Sequence, residues 1–544
     1  MAPTPTSPTL ASLFGTSHRL RQGRPIRSAK LAFTPSGIRL LNKRDSVLSP
    51  THAPPKTPFQ ALKWLLLPPA LLLLLFSGHI IAFGRGGQFD LPSWRSRPRE
   101  SDYYDRGASF APYKIQKLWA AYSPYHSVEE YKSPPIDCRL TQLQRHGARY
   151  PTFGFAINIA QALLRLQAAE SYTDERLNFI SSYQYDLGVD DLVPFGELQT
   201  SESGRKSFVR YSTLANEHNL PFVRASGSDR VVRSALKWIE GFNAGSDGTL
   251  RPSLGLIIPE IKRYQEGHNN TLEDKSCPNA GHPTAPLQQW QSVYAKPIAD
   301  RFNTIARGQK IKSHRKKMPE NLTSEDAQSL IALCAFETVA KEEYSRFCHL
   351  FNETEFEGFE YALDLDKFYY TGYGSRLGPV QGVGYINELL ARLTDQPVED
   401  HTQTNHTHDS NAETFPLGRS IYVDFSHDNL MVAVFSAMGL FKNNGPFMGG
   451  MLDPKKRPKH RDWFTSRIVP FSGRMVVERM ECGLPSVNGA GDREYVRILV
   501  SDAAQDLGFC EGVDEDGLCS LHSFVKSQTY ARNSGQGDWE SCFE

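Results

Sequence analysis

The sequence predicts an α/β fold, a sheet flanked by helices, because one local pattern occurs three times. A short β-prone run ends in a polar loop, and a helix with an apolar stripe follows. In the first case "CRLTQLQ" leads into "RHGARYPT", and "FAINIAQALLRLQAAE" places Ile159, Leu163 and Leu166 at helical spacing. In the second, "PFVRA" breaks at "SGSD" and continues with Val231, Ala235, Trp238 and Phe242 on one stripe, with Ser228 or Asp229 positioned as a cap. In the third, "SIYVDF" gives way to "SHD" and an apolar helix that runs towards Phe441.

Open α/β sheets bind ligands beyond the carboxyl ends of their strands, so these loops predict one site built from Arg145, His146, Arg149, Arg230, His427 and Asp428. Crowding Arg145, His146 and Arg149 into five positions costs energy unless an anion sits among them. Three planar, permanently charged forks suit phosphate, whereas a carboxylate needs only one. Positive surroundings bias His146 towards its neutral, nucleophilic form. Asp428 is placed to protonate a leaving oxygen. Together the parts make a phosphomonoesterase: attack by His146, a phosphohistidine, then hydrolysis by water that Asp428 activates. Singly, each motif has a plainer reading, as a charged turn, a helix cap or a surface ion pair for Arg230. Their joint occurrence at three strand-to-helix junctions outweighs it.

The rest of the chain sets the context. Its 544 residues suggest two or more structural units, and 40% hydrophobic with 22% charged residues excludes pervasive disorder. A net charge of +1 argues against a general nucleic-acid binder while leaving room for a local basic pocket. Before Trp64 the chain has ten lysines and arginines but one acid, Asp45, and is rich in Pro, Ser and Thr, so residues 1–63 are expected to be disordered. "WLLLPPALLLLLFSGHIIAF", residues 64–83, is uncharged and long enough to cross a bilayer as a helix. The basic flank orients this signal-anchor with residues 1–63 in the cytosol and the remainder outside or in a lumen. Residues 84–110 form a linker open to proteolytic release. All eight cysteines come after the apolar segment: Cys138, Cys277, Cys334, Cys348, Cys482, Cys510, Cys519 and Cys542. The sequons at Asn269, Asn321, Asn352 and Asn405 lie beyond it too, as expected of an oxidising, glycosylating compartment.

"RHGARYPT", "RASGSDRVV" and "FSHDN" resemble the signature segments of the histidine acid phosphatases, and of the fungal phytase group in particular. The likeness extends from "LWAAYSPYHS" through "YDLGVDDLVPFGE", "NNTLED" and "GPVQGVGYINELLARLT" to "GDWESCFE". It implies an α/β core over residues 111–544 with a mostly helical second domain inserted, roughly within 155–220 and 250–400, and a cleft between them. It further implies His146 as nucleophile, Arg145, Arg149 and Arg230 as phosphate clamp, His427 as a further phosphate contact and Asp428 as proton donor. No metal or other cofactor is expected. The implied disulfides are Cys138–Cys482, Cys277–Cys542, Cys334–Cys348 and Cys510–Cys519, although the sequence alone leaves the pairing open.

The resemblance weakens around the pocket. Phytases tend to carry lysines just after the "RHGARYPT" segment, where this chain reads "FGFAINIAQ". A Lys-Lys pair before a Gly-Tyr-Gly segment becomes "LDLDKFYYTGYG", which keeps Lys367 as a substrate contact but adds Asp364 and Asp366. Lost cations and added carboxylates weaken the grip on a polyanion by roughly a few kcal/mol. The expectation is a broad acid phosphatase with reduced preference for inositol hexakisphosphate. The alternatives are a catalytically silent, membrane-anchored protein of this fold that binds extracellular polyanions, and a cytosolic phosphoglycerate-mutase relative. Intact catalytic positions count against the first, and the cysteines and sequons against the second.

Overall fold

The structure is a computed structural model that describes residues 29–34, 37–42, 108–134, 138–261, 269–308, 321–442, 451–481, 494–514 and 517–544. The expected anchor at 64–83 and most of the linker lie outside these residues. Among the described residues no helix is long and apolar enough to cross a membrane. Within the tail expected to be disordered throughout, Ala29–Thr34 and Gly37–Asn42 pair as antiparallel strands. The expectation rested on composition, which does not report local strand pairing.

The main sheet contains β1 (Cys138–Arg145), β2 (Phe222–Ser226), β3 (Leu254–Ile258), β4 (Ile421–Ser426), β5 (Arg474–Glu481), β6 (Glu494–Val500), β7 (Ala503–Ala504) and β8 (Cys519–Ser520). Their order is β7-β6-β5-β1-β4-β2-β3, and β8 pairs with β6. The strands β1, β4, β2 and β3 run parallel, whereas β5 and β6 are antiparallel to their neighbours. Register places the loops. Arg145 pairs with Ser426 and Ala225 with Phe425, so three adjacent parallel strands end level and deliver their loops to one edge.

Side chains alternate across this sheet as the pleat requires. Leu140, Val223, Ala225, Val423 and Phe425 face helix α3 (Asp229–Gly245) and pack on its Val231, Ala235, Trp238 and Phe242. Helix α2 (Pro194–Tyr211) lies tight against α3: a Cβ on Gly241 would fall 1.7 Å from the Ser201 carbonyl oxygen. Leu143, Met475, Val477 and Ile498 face the other way. There they join one continuous core with α1 (Phe153–Gln167), α4 (Ala285–Ile305), α5 (Ser324–Lys341), α6 (Glu353–Tyr370), α7 (Val383–Thr394) and α8 (Asp428–Met438). The helical region expected as an insertion therefore shares its core with the sheet. Helix α2 falls within the expected insertion range but packs with α3 instead, because the range tracked helical content and not the face each helix covers.

Three of the implied disulfides are present, Cys277–Cys542, Cys334–Cys348 and Cys510–Cys519. Cys482, the implied partner of Cys138, lies outside the described residues. Of the sequons, Asn321 and Asn352 are exposed, while Asn352 and Asn405 also accept cap bonds from Glu355 and Thr407. Asn269 differs, since its amide donates to the carbonyls of Thr402 and Thr404, both at 3.2 Å.

Beneath the parallel strands lies a buried ionic group. Arg224 of β2 donates to Asp424 of β4 (2.7 Å) and to Glu388 of α7 (2.6 Å), and Arg392 of α7 donates to Asp424 (2.5 Å). Burial opposes ionisation of Asp424, yet the two guanidinium groups hold its pKa at about 2. The folded value is depressed, so this carboxylate contributes its full stability above the ordinary aspartate pKa and loses it as pH falls towards 2. Removing one partner of such a group strands an uncompensated charge. Arg224→Met is expected to destabilise the fold by about 3–5 kcal/mol, read as a fall in urea midpoint at neutral pH.

Candidate active site

The first corner is set by backbone packing. A Cβ on Gly147 would lie 2.1 Å from the Gly196 carbonyl oxygen, so only glycine lets the loop after β1 pass against α2. The loop is then tied down: the amides of Gly147 and Ala148 donate to Ser234 Oγ and Gln199 Oε1, and the His146 amide donates to the Ser426 carbonyl.

On this support Arg145 is fully buried. Its Nη1 donates to the carbonyls of Ala121 and Val469, and its guanidinium lies over the Phe471 ring. The other edge, Nε and Nη2, has no hydrogen-bond partner, though Nη2 stands 3.1 Å from Asp428. His146 sits beside it with Nδ1 2.9 Å from the Gly147 carbonyl. A carbonyl can only accept, so Nδ1 carries the proton and the Nε2 lone pair is free. Burial, then Arg145, Arg230 and Arg149, push the His146 pKa well below the ordinary histidine value.

The second corner supplies Arg230 from the first turn of α3. Its Nη2 is 3.5 Å from His427 Nδ1, its Nη1 only within 3.9 Å of Asp190, and its Nε lacks a partner. Ser228 makes no side-chain cap; its hydroxyl lies 3.5 Å from His427 Nε2 instead. Arg149 returns one bond to the Tyr150 carbonyl and leaves Nε unpaired. The third corner gives His427 and Asp428 at the start of α8. The His427 and His146 rings are 5.7 Å apart, edge to face, and burial and Arg230 hold His427 in its neutral form as well. Asp428 lies 3.1 Å from both Arg145 and Lys367. Although burial opposes ionisation, these cations keep its carboxyl well below the usual range.

Six of the seven site residues expected from sequence, Lys367 included, thus line a cavity of about 250 Å³ at one edge of the sheet, and the seventh, Arg145, is buried behind it against Asp428. The helices α1, α3 and α8 all begin there, adding the partial positive charge of their N-termini. The cavity wall also includes Tyr122, Glu273, Asp274, Lys275 and Asn429. All of these except Lys275 lie in segments that carry the family likeness, but no spacing in them points to a phosphate. Asp364 corrects an expectation. It is fully buried, bonded to Arg461 and Thr465, and is not part of the cavity wall. Asp366 does line the cavity, where it accepts from His282 at 2.8 Å. Donor atoms of Glu260, Glu273 and His427 come within 4.8 Å of one another. The Glu273 carboxylate is already held by Ser226 Oγ and the Ile261 amide, so the grouping is explained without a metal.

Unpaired guanidinium edges around a proton-free imidazole nitrogen define a hydrolase of phosphate monoesters. The chain belongs to the histidine phosphatase superfamily (branch 2), whose family model matches residues 139–501. It is 38% identical over 449 residues to Phytase A of Arthroderma benhamiae, covering 79% of this chain and 92% of that protein. To Phytase A of Aspergillus fumigatus it is 38% identical over 464 residues, covering 82% and 94%. Its fold is similar to the crystal structure of the phytase from D. castellii, with TM-score 0.59, 21% identity and coverage of 77% and 85%. It is also similar to a multiple inositol polyphosphate phosphatase of Bifidobacterium longum, with TM-score 0.53, 13% identity and coverage of 76% and 98%.

The two neutral histidines have a measurable consequence. The unfolded chain protonates both below about pH 6.5, while the fold refuses those protons, so their contribution to stability falls as pH drops through that value. Urea midpoints are expected to decline between about pH 7.5 and about pH 5.5, and inorganic phosphate to recover part of the loss by binding the native state. His427→Gln should flatten the slope. A slope left unchanged by that substitution would count against a proton-free His427.

Proposed function

We propose that the protein hydrolyses phosphate monoesters through a phosphohistidine on His146. The observation that carries this reading is the convergence of Arg145, Arg230 and Arg149 on His146: all three guanidinium groups act on its ring, each keeps an Nε without a partner, and the Nε2 lone pair of His146 is free. The PO3 group sits against Arg145, Arg149 and Arg230, with His427 as a further contact, and Nε2 of His146 attacks in line with the leaving oxygen. Asp428 donates the proton that oxygen needs. In the empty site its carboxyl is held ionised by Arg145 and Lys367, so a proton cannot wait there. A bound phosphate engages Arg145 and brings its own negative charge, which raises the proton affinity of Asp428. The proton therefore arrives with the substrate. After the alcohol leaves, the same carboxylate takes a proton from the water that cleaves the phosphohistidine.

Inositol phosphates belong among the substrates on the strength of the phytase relatives, with preference for the hexakisphosphate reduced. Lys367 is bound to Asn429 at 2.5 Å and to Asp428, and Asp366 adds a carboxylate to the wall. The disulfides support an exported catalytic region, residues 111–544, held by an anchor at 64–83 with residues 1–63 in the cytosol. Glycans at Asn321, Asn352 and Asn405 fit the same compartment. Asn269 is the least suited, because a glycan there displaces one of its backbone bonds. N-terminal sequencing and glycosidase treatment of the mature protein check this topology.

His146→Ala is expected to leave a folded protein whose turnover is below detection, and substantial residual activity would remove the covalent mechanism. Asp428→Asn should slow cleavage of alkyl phosphates by about 10²–10⁴-fold and of p-nitrophenyl phosphate far less, since a good leaving group needs no proton. A ratio of kcat/KM strongly favouring inositol hexakisphosphate over an aryl phosphate would refute the reduced preference.

A further inference from the structure

We propose that Lys275 binds a second phosphate at the cavity mouth, so that the enzyme favours monoesters carrying one additional phosphate over those carrying none. This deepens the phosphomonoesterase reading and rests on it.

Four cations line the cavity among the described residues: Arg149, Arg230, Lys275 and Lys367. Two belong to the clamp on the reacting group. Lys367 has an 11% exposed side chain and spends its ammonium on Asp428 and Asn429. The Lys275 side chain is 55% exposed, and its one ion pair is a long approach of 3.9 Å to Glu273. Both oxygens of that carboxylate already accept bonds, from Ser226 and the Ile261 amide. The neighbouring Asp274 is buried, and burial pushes its pKa up.

The loop that carries Lys275 is rigid. Asn270, Thr271, Leu272, Glu273, Asp274 and Ser276 are buried, and Cys277 is bonded to Cys542. The Leu272 carbonyl accepts from Ser426 Oγ (2.7 Å), the last residue of β4, which ties the loop to the strand that presents His427. A flexible ammonium on a fixed stem, next to the clamp, meets a phosphate on the substrate's far side at little ordering cost. Elsewhere on the wall, Asp366 offers a carboxylate. Attraction at one place and repulsion at another suit one extra phosphate in a defined position better than a ring fully covered with them.

The test uses the full chain and competitive inhibition of p-nitrophenyl phosphate hydrolysis by fructose 6-phosphate and fructose 1,6-bisphosphate, which differ by one phosphate. The bisphosphate should bind more tightly, with a salt-sensitive Ki. Lys275→Met should lower the ratio of the two Ki values about 5- to 20-fold, and Lys275→Arg should preserve it. A ratio in Lys275→Met within about twofold of the parent's, or an equal loss for both sugars, overturns the proposal. Absence of any p-nitrophenyl phosphate turnover in the parent would instead bring down the phosphomonoesterase reading, and the inference with it.

Discussion

The parallel, in-register pairing of β1, β4 and β2 is the constraint on which everything else rests. Because Arg145 pairs with Ser426 and Ala225 with Phe425, the residues just beyond each strand emerge side by side. A slip of one residue in β4 would carry His427 to the opposite face and bring Asp428 into its place. The buried group of Arg224, Asp424, Glu388 and Arg392 spans β2, β4 and α7 and opposes such a slip, since any shift would unpair charges with no water to receive them. The ionic group under the sheet and the cationic group at its edge are thus coupled: the first fixes the register that assembles the second.

The assembled site is electrostatically uncomfortable without a ligand. Arg145 is fully buried and Arg149 nearly so, and burial followed by mutual repulsion with Arg230 lowers the Arg149 pKa to about 10. Carbonyl oxygens relieve part of the strain, as Ala121 and Val469 do for Arg145 and Tyr150 for Arg149. These bonds also fix each fork in place while leaving its Nε without a partner. Preorganisation of this kind is destabilising for the empty fold and effective for a dianionic transition state, because no reorientation is left to perform.

The sequence made the corners legible because strand, loop and helix each leave a periodic trace, and two arginine-bearing corners with a His-Asp corner at such junctions are hard to explain otherwise. It made the rim legible only in part. Asp364 and Asp366 stand two positions apart on α6, which turns them roughly 200° from each other, yet in a linear reading both sit beside Lys367. One is a structural anchor for Arg461 and the other a wall residue. Lys275 had no trace at all, because it reaches the cavity from an irregular loop whose path is set by bonds to distant strands. Register, too, is a long-range property: nothing in residues 421–426 says which residue of β1 each will face. The helical region's shared core with the sheet reflects the same limit, since periodicity marks a helix but not its partner.

One crowd of charges performs two opposed tasks, and the opposition explains why chemistry waits for substrate. A histidine in water is largely protonated under acidic conditions and cannot attack phosphorus. Burial among arginines denies His146 that proton and keeps Nε2 nucleophilic where an acid phosphatase works. The same cations, Arg145 and Lys367 foremost, deny Asp428 the proton that the proposed mechanism has it give away. No fixed arrangement of cations satisfies both residues at once. In the proposed mechanism a phosphate dianion resolves the conflict from within: bound by the guanidinium groups beside both side chains, its negative charge raises the proton affinity of each. The rise is productive at Asp428. At His146 it is harmless, because the nitrogen that would take the proton is the one pressed against phosphorus. Binding and protonation are therefore one event, and the empty enzyme is held one proton short of competence.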